Sequence, residues 1–214
     1  MKKNATELVF ILDRSGSMSG LENDTIGGYN SMLEKQKSQE GECRITTVLF
    51  DNEYEVLHDR IDMPAVNCIT DKDYWVRGST ALLDAIGRTI YKIGNVQKNT
   101  TDDFRAEKVL FVIITDGQEN ASREFTAERV RRLIMNQKKK YNWEFIFLGA
   151  NIDAVETAAH LGIDRNRAQS YLNDREGVTL NYNVLSHAVC QFRCSEISDD
   201  WNEEIEKDMK QRGN

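Results

Sequence analysis

Three short, wholly apolar runs constrain this chain more than any other feature: Leu8–Leu12, Val109–Ile114 and Phe145–Leu148. Each is too short for a core helix and lacks the alternation of a strand with one wet face. Each therefore reads as a strand buried on both faces. Each also stops abruptly in a polar or glycine-containing loop: Asp13-Arg14-Ser15-Gly16-Ser17, Thr115-Asp116-Gly117 and Gly149-Ala150-Asn151. Amphipathic segments lie between them. Ile26, Tyr29 and Leu33 mark a helix over Asp24–Lys37, and Leu82, Ile86, Ile90 and Ile93 one over Ala81–Ile93, with Gly94-Asn95 expected to end it. Val130, Leu133 and Ile134 mark a helix over Glu128–Lys138. Asp153 is placed to cap a short helix, Ala154–Leu161. The last core helix is expected over Thr179–Phe192. Weaker strands are expected at Arg44–Phe50 and Ala168–Tyr171, and Tyr54–Leu57 follows the Asp51-Asn52 turn as an antiparallel edge hairpin. Strands alternating with helices predict a parallel sheet covered on both faces.

Composition narrows the function. The 214 residues suit one large domain. With 28 Lys and Arg against 35 Asp and Glu, the net charge is −7, the wrong balance for a nucleic-acid binder. No apolar stretch approaches the roughly 20 residues needed to span a bilayer. The run after the basic N-terminus is too short for a signal-peptide core and ends in Asp13. The expectation is a cytoplasmic protein without membrane or nucleic-acid partners. Of the four cysteines, Cys43 is expected to pack in a strand. Cys190 and Cys194, near His187, allow a zinc site, but small buried side chains are the better reading.

The chemistry concentrates after the first strand. Asp13, Ser15 and Ser17 place a carboxylate and two hydroxyls at alternate positions, with Gly16 between the serines for a tight turn. All three are hard oxygen donors, suited to Mg2+, Mn2+ or Ca2+. In a doubly wound sheet, loops at the carboxyl ends of strands converge in one crevice. Asp116 follows the Val109–Ile114 strand, and Thr80 precedes the Ala81–Ile93 helix, so both belong to that edge. Singly, Asp116-Gly117 reads as a turn and Thr80 as an N-cap; the combination is what carries information.

Asp13-x-Ser15-x-Ser17, Thr80 in Gly-Ser-Thr-Ala-Leu and Asp116 in Ile-Ile-Thr-Asp-Gly together resemble the metal-ion-dependent adhesion site of von Willebrand factor A (VWA) domains. The resemblance covers about residues 5 to 190. It implies a three-layer, doubly wound, Rossmann-like fold: a mainly parallel six-stranded sheet with one short antiparallel edge strand and helices on both faces. It implies Mg2+, with Mn2+ or Ca2+ as substitutes. Ser15 and Ser17 would bind through their hydroxyls and Thr80 directly in a ligand-competent state. Asp13 and Asp116 would bind mainly through water, or Asp116 directly in a resting state. The partner would be a protein donating a Glu or Asp to the metal. The expected rim is Met18, Tyr74, Trp75, Arg77, Gln118, Glu119 and Asn151, with core packing an equal reading for Trp75. Gly27 and Gly28 in the first helix permit either close packing or a small helix movement.

Catalysis is the poorer reading, and no catalytic residues are assigned. An Mg2+-dependent phosphohydrolase with Asp13 as nucleophile needs a second Asp where Ser15 stands. A serine hydrolase needs glycines where Asp13 and Ser17 stand. A structural scaffold with a vestigial site would not keep every oxygen ligand. The expected division is a VWA domain over 5–194 and an acidic helical extension over 195–214. Glu196–Asp208 holds seven acidic residues and one basic one, yet Trp201, Ile205 and Met209 share a helical face. Docking on the body is expected over capture of a partner.

Overall fold

The computed structural model describes residues 2–213, with side chains from residue 5 onward. The strands are β1 (Lys2–Asp13), β2 (Cys43–Phe50), β3 (Tyr54–Asp62), β4 (Ala106–Thr115), β5 (Glu144–Gly149) and β6 (Ala168–Ser170). The helices are α1 (Glu22–Lys37), α2 (Leu82–Asn99), α3 (Ala127–Tyr141), α4 (Ala154–His160), α5 (Arg175–Cys194) and α6 (Glu203–Arg212). They build one six-stranded sheet in the order β3-β2-β1-β4-β5-β6. Every pairing is parallel except β2 with β3. The chain steps outward from β1 to β3, then jumps back across β1 to β4. The reversal opens a crevice at the carboxyl ends of β1 and β4, the usual ligand position in doubly wound sheets. Leu12 pairs with Ile114 there, so Asp13 and Thr115 end their strands level.

The central strands show why continuous apolar runs were the right signal. Leu8, Phe10 and Leu12 face a core shared with α1 and α5, while Val9 and Ile11 face one shared with α2, α3 and α4. Caps set the helix starts. Thr126, Asp153 and Asp174 accept N–H groups from Arg129, Glu156 and Gly177. The end of α1 is closed from outside. Buried Arg193 of α5 donates to the carbonyls of Gln36 in the last turn of α1 and of Gln39, Glu40 and Gly41 in the loop beyond it.

Several boundaries differ from expectation. Helix α2 runs past Gly94-Asn95 to Asn99. A mid-helix glycine costs only about 1 kcal/mol, and the extra turn buries Gln97, which donates to buried Glu7 at 3.4 Å. Helix α5 starts four residues earlier than Thr179, because Asp174 caps it. Strand β3 continues to Asp62 through register shifts and a left-handed Arg60 (φ 51°), whose guanidinium pairs with Glu7. Gly28 resolves toward close packing: a Cβ there would lie 2.4 Å from Tyr182 Cδ2 of α5.

The acidic C-terminal segment docks. Trp201, just ahead of α6, and Ile205 are buried in the α1/α5 core, with Met209 packed against it. The Trp201 indole donates to the carbonyl of Asn166 at 2.8 Å, and Asn202 bonds Gln169 of the edge strand β6. Cys43 is buried, but Cys194, the last residue of α5, is exposed, against the packing reading. Cys190 is half-buried and bonded by Gln36 at 3.2 Å. Among the described residues no group of three His, Cys, Asp or Glu side chains is placed to hold a metal, so the zinc alternative at Cys190 and Cys194 finds no support. No helix among them is long and apolar enough to cross a membrane.

Candidate metal centre

Asp13 ends β1 with its carboxylate turned back into the protein. Its Oδ1 accepts the Ser15 N–H at 2.7 Å and its Oδ2 the Thr115 hydroxyl at 2.6 Å. The Tyr74 hydroxyl donates to the Asp13 carbonyl at 2.6 Å. The next residues are strapped to the loop before α2: the Gly16 N–H donates to Gly78 O and the Arg77 N–H to Arg14 O. Gly78 is left-handed (φ 69°), and a Cβ there would strike Asn52. Thr80 is fixed by its backbone, not used as a cap. Its N–H donates to the Asn120 side chain at 2.9 Å, and its carbonyl accepts the Asn120 N–H at 3.0 Å.

These straps bring the oxygens together. Ser15 Oγ lies 3.0 Å from Ser17 Oγ and 3.0 Å from Thr80 Oγ1. The Ser17 hydroxyl donates to Asp116 Oδ1 in a short bond. Thr80, Ser15, Ser17 and Asp116 thus form one hydrogen-bonded chain at the crevice, with Asp13 beside it through Ser15 and Thr115. Asp13, Ser15, Thr80 and Asp116 are buried; Ser17 is exposed and forms the mouth. Burial pushes both carboxyls above their ordinary range. Asp116 rises to about 6, with the nearby Asp13 charge adding to desolvation while Ser17 and Asn173 oppose it.

One flank of the mouth carries a compact charge network. Arg14, fully buried, pairs with Asp51 at 2.9 Å and Glu55 at 2.7 Å. Arg77 pairs with the same Asp51 oxygen at 2.8 Å and with Glu53 at 2.5 Å. Both guanidiniums lie over the Trp75 ring, at 5.3 and 5.7 Å from its centroid. Trp75 is 42% exposed, so it is not core beneath the loop.

No protein-family model matches the sequence, and no curated protein does either. Solved structures do match in shape. Proximal thread matrix protein 1 from the mussel byssus aligns at TM-score 0.59 and 13% identity, covering 87% of this chain and 46% of its own. A manganese-loaded Plasmodium vivax TRAP protein aligns at 0.58 and 19%, covering 84% and 72%. A von Willebrand factor type A protein from Catenulispora acidiphila aligns at 0.53 and 12%, covering 86% and 42%. This chain therefore spans less than half of the mussel and Catenulispora chains.

The fold is that of a VWA domain.

The mussel protein was also solved with a zinc-occupied MIDAS motif, the metal-ion-dependent adhesion site. The residues of the present chain fit a hard divalent cation on their own evidence. The donors are all oxygen. Gly117 leaves open the space beside them: a Cβ there would lie 3.0 Å from Ser17 Oγ and 3.1 Å from Thr80 Oγ1. The buried Asp116 carboxyl is bonded to Ser17 at this opening, the buried Asp13 carboxyl lies behind it on the Ser15 N–H and Thr115, and among the described residues no cation is bonded to either.

Some expected rim residues are elsewhere in this VWA fold. Met18 is 2% exposed and Tyr74 is 1% exposed, Tyr74 as part of the α1-side core beneath the loops. Neither side chain is presented to a partner. Glu119 is consumed internally: it accepts the N–H groups of Leu83, Ala121 and Ser122 and the Ser122 hydroxyl. Asp84 does the same for the N–H groups of Arg123, Glu124 and Phe125. Together they pin the loop after β4 onto α2. Gln118 and Asn151 are exposed. Gln118 lines a groove of about 350 Å³ beside Gly117, with Leu82, Ile152, Glu156 and His160. Sequence reasoning missed Thr115, Asn120, Asp84 and Asn173. Thr115 stood inside the quoted Thr-Asp-Gly motif; the others had no local signal.

Proposed function

We propose that this chain is a divalent-cation-dependent protein-binding module, with Mg2+ held by Asp13, Ser15, Ser17, Thr80 and Asp116. The supporting observation is the convergence of the Ser15, Ser17 and Thr80 hydroxyls and the Asp116 carboxyl from three loops beside Gly117, with the Asp13 carboxyl behind them on the Ser15 N–H. When bound there, Mg2+ would supply an electrophilic centre able to take a carboxylate from outside. The chain's own residues prepare that event. Thr115 and the Ser15 N–H hold Asp13 in one rotamer. Asn120 fixes Thr80, and the strap from Gly78 fixes the serine loop. Ser17 leaves the mouth open to a partner's Glu or Asp. Trp75, Arg77, Gln118 and Asn151 form the rim, and the groove beside Gly117 gives the flanking partner segment a surface to follow. The reading is recognition rather than bond breaking: among the described residues no general base stands in hydrogen-bond contact with Ser15 or Ser17 beyond the ligand set itself.

The test is direct. Mg2+ at a hundredfold excess over its Kd should stabilise the protein by about 2.7 kcal/mol, a rise in Tm of roughly 5–10 °C for a domain of this size. EDTA should remove the rise, and Asp13→Ala and Ser17→Ala should not show it. Identical melting curves with EDTA and millimolar Mg2+ would overturn the proposal.

A further inference from the structure

Asn173 lies in the loop between β6 and α5, far in sequence from the other residues of the metal centre. Its Nδ2 donates to Asp116 Oδ2 at 3.4 Å, the oxygen that Ser17 leaves unused. Its Oδ1 is buried and has no hydrogen-bond partner among the described residues. A buried acceptor without a donor is costly, so its retention calls for a donor supplied from outside. Waters that Mg2+ keeps when bound are donors of that kind.

The loop carrying Asn173 is held firmly from both sides. Asp174 caps α5 through the Gly177 N–H at 2.7 Å, and a Cβ on Gly177 would strike the Leu172 carbonyl. The other Asp174 oxygen accepts from Arg212 of α6 at 2.8 Å. Arg212 is itself aligned by a two-point pairing with Asp208, one turn earlier on the same helix.

We infer that Asn173 is a positioning residue of the metal centre, orienting Asp116, and that the docked C-terminal helix steadies it through the Arg212–Asp174 pair. The inference rests on the function proposed above. Asp116 is shared between two elements: Ser17 presents one oxygen from the β1 loop, and Asn173 fixes the other from the α5 loop. The metal centre therefore extends by one residue beyond the three loops of its ligands and reaches the end of the chain through two contacts.

The experiment titrates the full chain with Mn2+ alone, by calorimetry, and measures metal-free urea unfolding alongside. Asn173→Ala should weaken Mn2+ binding on the order of tenfold, as loss of a ligand's supporting partner does, with the metal-free midpoint unchanged. Arg212→Gln should weaken it by about twofold, since the pair is partly exposed, and the difference from wild type should shrink in high salt. Mn2+ affinity within twofold of wild type for Asn173→Ala would overturn the inference. So would a weakening matched by an equal loss of metal-free stability. An unchanged Arg212→Gln would remove α6 from it. Wild-type protein that binds no Mn2+ would instead overturn the proposed function, so the two failures are told apart.

Discussion

At the level of single residues, the proposed metal centre depends as much on an absent atom as on the groups present. Gly117 stands where any side chain would press on Ser17 and Thr80. Gly117→Ala should therefore lower Mg2+ affinity on the order of tenfold while leaving the metal-free unfolding free energy within about 0.5 kcal/mol, the range of substitutions away from the core; calorimetry and urea denaturation check the two halves. That Asp13, Ser15, Ser17, Thr80 and Asp116 share one sheet edge was legible from sequence, because each sits beside a strongly patterned strand or helix. Their supports were not. Asn120 and Asn173 meet Thr80 and Asp116 only after the chain folds, across 40 and 57 residues of separation. Burial of Met18 and Tyr74 was equally hidden, since both occupy loops whose path no periodicity reveals.

Among the elements, the agreement between sequence and structure follows burial. Strands β1, β4 and β5 are apolar throughout because helices cover both faces, so their existence could be read directly. Ends were harder to place wherever a distant residue decided them, as with Gln97 extending α2 toward Glu7 or Asp174 starting α5. The contact between α1 and α5 gives a prediction at this scale. Tyr182 lies flat against Gly28, and Gly28→Ala would force the ring 2.4 Å from the new Cβ to move. Overpacking costs about 1–3 kcal/mol, against a gain of about 1 kcal/mol in helix propensity. Net destabilisation is expected by urea unfolding, whereas Gly27→Ala, which meets nothing within 4 Å, should stabilise.

For the whole molecule, stability against pH carries the mark of one buried imidazole. His58 of β3 is 7% exposed and bonds Thr47 at 3.0 Å. Desolvation holds its pKa below the ordinary 6.5, opposed by the Asp73 charge. The unfolded chain therefore binds this proton first as pH falls. The stability present above pH 6.5 is lost progressively below it, toward the depressed folded value. A His58→Gln variant should lose less stability than wild type between pH 7 and 5.5 in urea melts; parallel slopes would assign the loss to other groups. The sheet containing His58 is also finished at both margins. Strand β3 is irregular and turned by left-handed Arg60, and β6 is three residues long with the C-terminal segment bonded to it. Neither margin offers a long flat ladder of free amides. Copies crowded on one scaffold would therefore be poor templates for each other's backbones, leaving their loops as the surfaces through which they meet other molecules.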